Sequence, residues 1–104
     1  MVEAGIFMDR VVASVDNGLK IAAAARILRE EADNGQHEKI AAMLRMCADA
    51  LAIHPEPRVL CQRNEDRLNA QFEGDNHETW PAGLRAVHVA LAAEAFGRAA
   101  RVLR

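Results

Sequence analysis

Two His-Glu neighbours, His37-Glu38 and His77-Glu78, and the series Cys47, His54 and Cys61 at intervals of seven are the residues whose types could do chemistry. An imidazole beside a carboxylate suits general acid and base work, and two thiols with an imidazole suit zinc. Spacing argues against both. Adjacent helical residues point about 100° apart and do not face each other. A metalloprotease helix needs a second His four residues after the first, and those positions hold Ala41 and Pro81. Along one helix the seven-residue series would leave neighbours about 10 Å apart, whereas zinc bonds measure roughly 2.0 to 2.3 Å, so only a chain reversal at Pro55 and Pro57 could gather the three.

The remaining groups point the same way. The six glycines are dispersed at positions 5, 18, 35, 74, 83 and 97, which leaves no phosphate-cradling loop. Ser14, the only serine, lies between Ala13 and Val15 and lacks the flanking glycines of a nucleophile elbow. Cys47 and Cys61 read as small reduced core residues, and His88 as a half-buried, hydrogen-bonded histidine. No catalytic residue, cofactor or metal ligand is assigned, and the chain is read as a non-enzyme.

The elements that would position these groups are helical. The chain has 104 residues, 51% of them apolar, with 13 basic against 15 acidic side chains, which suits a single domain over 1–104. Alanine dominates, tyrosine is absent, and no segment sustains the period-two alternation of a strand; Val11, Val12 and Val15 fit helical spacing as well. The expected fold is all-α, a compact antiparallel bundle of four to five helices with a long C-terminal helix. The helices are placed at about 3–15, 19–33, 36–53, 58–73 and 80–103, and the first two form one helix if Asp16-Asn17-Gly18 does not break them. Asn34-Gly35 is a helix stop, His54-Pro55-Glu56-Pro57 a break, and 74–79 the last loop. Pro81 is placed in the first turn of the closing helix, with Thr79 or Trp80 at its cap.

The width of the apolar faces carries the functional reading. A surface helix needs an apolar stripe of about 100°, but on the last helix Leu84, Val87, Val89, Leu91, Phe96, Val102, Leu103 and the intervening alanines sweep roughly 200°. The helix from Gln36 is similarly wide, with Ile40, Met43, Leu44, Met46, Cys47 and Leu51 on its arc and Glu38, Arg45 and Asp49 opposite. Ile21, Ala24, Ala25, Leu28 and Ala32 form a narrower face of mostly small residues, which permits close approach of a partner helix. Behind Pro57, Leu60, Leu68, Phe72 and Cys61 face inward. Arg26 with Glu30, Arg29 with Asp33, Arg45 with Asp49 and Glu94 with Arg98 are expected as i,i+4 pairs on solvated faces.

Two wide apolar helices are more than one small domain readily hides, so the expected function is a helical protein-interaction module. It is read as a regulatory protein that homodimerises and binds or sequesters another protein, for example a transcription factor. The expected interface is Val89, Phe96 and Leu103, which share one edge of the last helix, with Met43 and Met46 as adaptable secondary contacts. The alternative is a dimeric helix-turn-helix-like DNA-binding regulator using Arg58, Gln62, Arg63 and Arg67, although a net charge of −2 and Glu65 and Asp66 on the same segment disfavour nucleic acid. A third class is a metal- or small-molecule-binding bundle using His54, His88 or the cysteines. The uncharged stretch Ala86–Ala93 is too short for a membrane span, and Glu3 and Asp9 do not suit a secretory signal, so a cytoplasmic location is expected. On this reading Phe96→Asp should dissociate the assembly and leave helicity intact, which light scattering and circular dichroism would measure.

Overall fold

The computed structural model describes residues 2–74 and 76–104, with side chains described from Ala13 onward. Four α-helices follow one another: α1 Val2–Ala32, α2 Glu38–Ala50, α3 Pro57–Glu73 and α4 Ala86–Val102, with a 3-10 turn at His77–Thr79 before α4. They form an antiparallel bundle, and no strand occurs among the described residues. No described helix is long and apolar enough to cross a membrane.

The Asp16-Asn17-Gly18 junction does not break α1, which runs through it for 31 residues. Gly18 keeps a negative φ, and a Cβ there would meet nothing within 4 Å, so its only penalty is the weak helix propensity of glycine. Gly35 does end the first hairpin, with φ at 68°. Pro81 does not open the last helix. Gly83 has φ at 78°, in the left-handed region, and the Leu84 N–H closes a turn on the Pro81 carbonyl, so α4 begins only at Ala86 with Arg85 as its N-cap. Asp75, within the expected loop at 74–79, lies outside the described residues, as do the side chains of Val11 and Val12.

Antiparallel neighbours redirect two of the expected ion pairs. Arg29 reaches Asp49 at 2.8 Å and Arg45 reaches Asp33 at 2.7 Å, so four residues expected to pair along their own helices pair across α1 and α2 instead. Arg26–Glu30 and Arg98–Glu94 remain within their helices. Exposed pairs of this kind contribute about 0.2 to 1 kcal/mol each, so their main consequence is to match Arg29 with Asp49 in register.

The core is built on α4. Val89, Ala92, Ala93, Ala95, Phe96, Gly97, Ala99 and Ala100 are all buried, and α4 packs against α1 and α3 and also touches α2. From α1 come Ala24, Ala25, Leu28 and Ala32; from the second segment come Ile40, Ala41, Leu44, Ala48 and Leu51; from α3 come Cys61 and Leu68. Small side chains let these axes approach closely. At Gly97 the space a Cβ would take is occupied by the end of the Glu65 side chain of α3, which could swing aside. On α3, Phe72 points out at 42% exposure where an inward position was expected. Asn64 is buried in its place: its amide donates to the Leu60 carbonyl at 2.8 Å and its oxygen accepts from Arg67 at 2.8 Å.

Most of the wide arc of α4 is therefore covered within one chain, while Val87 and Leu91 at its margin stay exposed, at 53% and 40%. Phe96 and Val89 are 0% exposed. Phe96→Asp is accordingly corrected from a test of assembly to a core mutation: an unpaired carboxylate replaces a buried ring, which should cost at least about 4 kcal/mol and collapse the helical signal. Gly18→Ala, by contrast, should raise stability by up to about 1 kcal/mol, because it relieves a helix-interior glycine with open space around it. Urea denaturation followed by circular dichroism measures both.

Candidate functional site

The structure separates the five residues expected to form one interface. Val89 and Phe96 lie in the core, and Leu103 is half-buried against it. Met43 is half-buried on α2, where its sulfur accepts from the Arg67 guanidinium at 2.9 Å. Only Met46 is open to solvent, at 71% exposure. The shared edge on the last helix is therefore not a free face. It is covered because α4 sits among the other helices rather than at the rim.

A continuous run of exposed residues lies on α1. Every residue from Ala13 to Lys20 is exposed, including Val15 at 57% and Leu19 at 65%. The register explains why. The Lys20 ammonium donates to the Arg104 carbonyl at 3.0 Å, which places Lys20 beside the end of α4, and Arg29 opposite Asp49 makes α2 finish before that level is reached. Residues before about 18 thus run beyond the bundle as a single helix, a projection of roughly 25 Å at 1.5 Å per residue. Overall dimensions agree: the longest extent is 65 Å against 23 and 17 Å, and the radius of gyration is 16.7 Å where a globular chain of this length would have about 13 Å.

The projection leads into a groove. Gly18, Ile21, Ala22, Ala25, Ala48 and Ala52, with Arg29 and Asp49 at the margin, line an open apolar trough of about 390 Å³ between α1 and α2. Val15, Leu19 and Ala22 follow a 4-3 spacing, and in the sequence the same spacing continues back to Val12 and Met8, the heptad pattern of a helix that pairs with another helix. That pattern was the signal available in the sequence. It was obscured because a helix ending near residue 15 would have no extended stripe.

The residues of the DNA-binding alternative are only partly brought together. Arg58, Gln62 and Arg63 border a cleft of about 260 Å³ with Val59, Ala100 and Arg104, while Arg67 is held elsewhere by Asn64 and Met43. Gln62 donates to Glu65 and Asp66. α3 packs chiefly on α4 and only marginally on α2, so the two helices flanking the proline turn are not the closely packed pair of a helix-turn-helix.

Metal chemistry finds no convergent set: among the described residues no three His, Cys, Asp or Glu side chains form a group that could hold an ion. The turn at Pro55 and Pro57 does not gather Cys47, His54 and Cys61 into one. His54 Nδ1 accepts the Glu56 N–H at 2.9 Å, and His88 Nδ1 accepts the Arg85 N–H at 3.0 Å. Both cysteines are free thiols, with Cys61 fully buried. Burial pushes the Cys61 thiol up to about 12, with the neighbouring Cys47 adding to the rise. Burial also raises Cys47, partly offset by the Arg67 charge.

A comparison with protein-family models, characterised proteins and solved structures gives no match. The class defined by fold and surface is thus a four-helix bundle with one helix extended past its neighbours.

The thiol environments predict slow alkylation. At about pH 8 the folded chain should react with iodoacetamide far more slowly at both cysteines than the urea-unfolded chain, as mass spectrometry would record, because the thiolate is the reactive form. Fast native labelling at Cys61 would contradict its burial. The sign at high pH also follows: between the ordinary thiol value of 9.0 and about 12 the unfolded chain loses a proton that folded Cys61 keeps, so stability should fall as pH rises through that window.

Proposed function

We propose that this chain is a small helical interaction module that pairs with a second copy through the projecting part of α1, and that the pair serves as a regulatory protein binding another protein. The single observation behind this reading is the unbroken exposure of Ala13–Lys20 with Val15 and Leu19 outward. A lone helix in water gains little from propensity alone, and most helical stability in proteins comes from packing an apolar face. A second copy laying its own Val15, Leu19 and Ala22 along this one would supply that packing. The trough between α1 and α2 offers a place for the partner helix to continue toward the bundle, as a helix does in an apolar groove. Met46 and Ile53, at 71% and 86% exposure, add apolar surface on the second segment for a different protein, whose apolar helix face would be the complementary chemistry.

A second reading, DNA binding by a dimer, is favoured by the cleft that Arg58, Arg63 and Arg104 border and opposed by the acidic net charge. Its signature is affinity that falls steeply with salt. A gel-shift series with no salt-sensitive complex removes it.

The test of the leading reading is the double variant Val15→Asp/Leu19→Asp. Both positions are exposed, so in a monomer the change should shift stability by no more than about 0.5 kcal/mol. Sedimentation velocity should show the unaltered chain as a dimer and the variant as a monomer of 11.4 kDa. An unaltered chain that stays monomeric at all concentrations, or a variant that stays dimeric, overturns the assignment of this face.

A further inference from the structure

We infer that the cleft between the first turns of α3 and the end of α4 binds a phosphomonoester, held by the guanidinium groups of Arg58, Arg63 and Arg104. Six residues line this cleft of about 260 Å³, and half of them are these arginines. Val59, half-buried, and Ala100, buried, give it an apolar floor. Packing of two antiparallel helices explains the gathering. The Glu65 side chain of α3 meets α4 at Gly97. Seven residues further along from Gly97 the chain reaches Arg104, and seven residues back from Glu65 it reaches Arg58, so the two arginines come level. The Lys20 ammonium donates to the Arg104 carbonyl at 3.0 Å and thereby anchors the residue from the α1 side.

The positive charge in this cleft is unanswered within the chain. Arg26, Arg29, Arg45 and Arg98 each pair with a carboxylate, whereas among the described residues none pairs with Arg58, Arg63 or Arg104. The acids closest in sequence are placed elsewhere. Glu65 and Asp66 both accept from the Gln62 amide, and neither they nor Glu56 line the cleft. Lys20 adds a further positive charge beside Arg104. Like charges gathered around one space repel each other, and an anion placed between them turns that repulsion into attraction.

Charge and geometry select the ligand. A guanidinium offers paired, coplanar donors that match the oxygens of a carboxylate or a phosphate. A carboxylate brings one negative charge to three arginines. A phosphomonoester brings about −1.5 to −2 at neutral pH and three acceptor oxygens, one for each guanidinium. The diester phosphates of DNA carry one charge each, so a preference for the monoester separates this site from the DNA-binding reading. A free phosphate ester and a phosphorylated side chain of another protein present the same group.

The experiment is calorimetric titration of the full chain, at constant ionic strength, with inorganic phosphate, methyl phosphate and dimethyl phosphate. Inorganic phosphate and methyl phosphate should bind saturably at one site, and dimethyl phosphate at least about tenfold more weakly, the effect of losing one charge-assisted hydrogen bond. Arg58→Gln/Arg63→Gln/Arg104→Gln should reduce the affinity for methyl phosphate at least about 100-fold. All three positions are exposed, so this variant should keep its helicity. Arg26→Gln/Arg45→Gln/Arg98→Gln removes the same charge from other faces and should leave the affinity within about twofold. Thermodynamic linkage gives a second readout: methyl phosphate at ten times its Kd should lower the unfolding constant about elevenfold in the unaltered chain and not in the cleft variant. The comparison with that variant removes the general stabilisation that phosphate gives by exclusion from protein surfaces. A phosphoserine peptide that binds more tightly than methyl phosphate supports the site and assigns it to a phosphorylated protein; one that binds no more tightly supports it and assigns it to a small phosphate ester. Absence of saturable phosphate binding, equal affinity for the monoester and the diester, or equal loss in the two triple variants would overturn the proposal.

Discussion

Close approach to α4 from more than one side is the constraint on which the rest of this molecule depends. A helix carrying leucine or phenylalanine all round would hold its neighbours far apart. Here the buried positions alternate one ring, Phe96, with alanines and Gly97, so α1 and α3 can both settle against the same short helix while α2 touches it at one side. Phe96, Leu28, Leu44, Leu51 and Leu68 then fill the space that the small residues leave. No buried side-chain nitrogen or oxygen among the described residues lacks a hydrogen-bond partner, so the core carries no polar penalty.

The helical architecture was readable because its signals are local. Alanine-rich composition, Asn34-Gly35 and the two prolines at 55 and 57 mark elements through chemistry that needs no knowledge of the tertiary fold. The start of α4 was misplaced because proline at a first turn and proline in a preceding turn look alike, and only the left-handed Gly83 separates them. Gly18 posed the reverse difficulty: Asp-Asn-Gly resembles a cap, yet a glycine with open space around it costs a helix little enough to be carried through.

The functional surface was less legible, for a related reason. The width of an apolar arc says how much cover a helix needs but not whether cover comes from the same chain. Val89 and Phe96 belong to an arc that α1 and α3 cover, whereas Val15 and Leu19 stand on a more modest stripe that nothing in the chain reaches. What separates the cases is relative length: 31 residues of α1 lie beside helices of 13 and 17. Once Gly18 is accepted as helical, the excess has to project. The expected pairs Arg29–Asp33 and Arg45–Asp49 failed through the same neglect of neighbours, since an antiparallel helix brought each arginine a different carboxylate.

Protection of backbone amides at two protein concentrations tests most directly whether α4 is covered from within and α1 from without. Hydrogen–deuterium exchange read by mass spectrometry should find α4 strongly protected whatever the concentration, while Ala13–Lys20 exchanges quickly when dilute and slows as copies meet. Protection of Ala13–Lys20 that ignores concentration, or an α4 that becomes protected only in concentrated solution, would contradict this account.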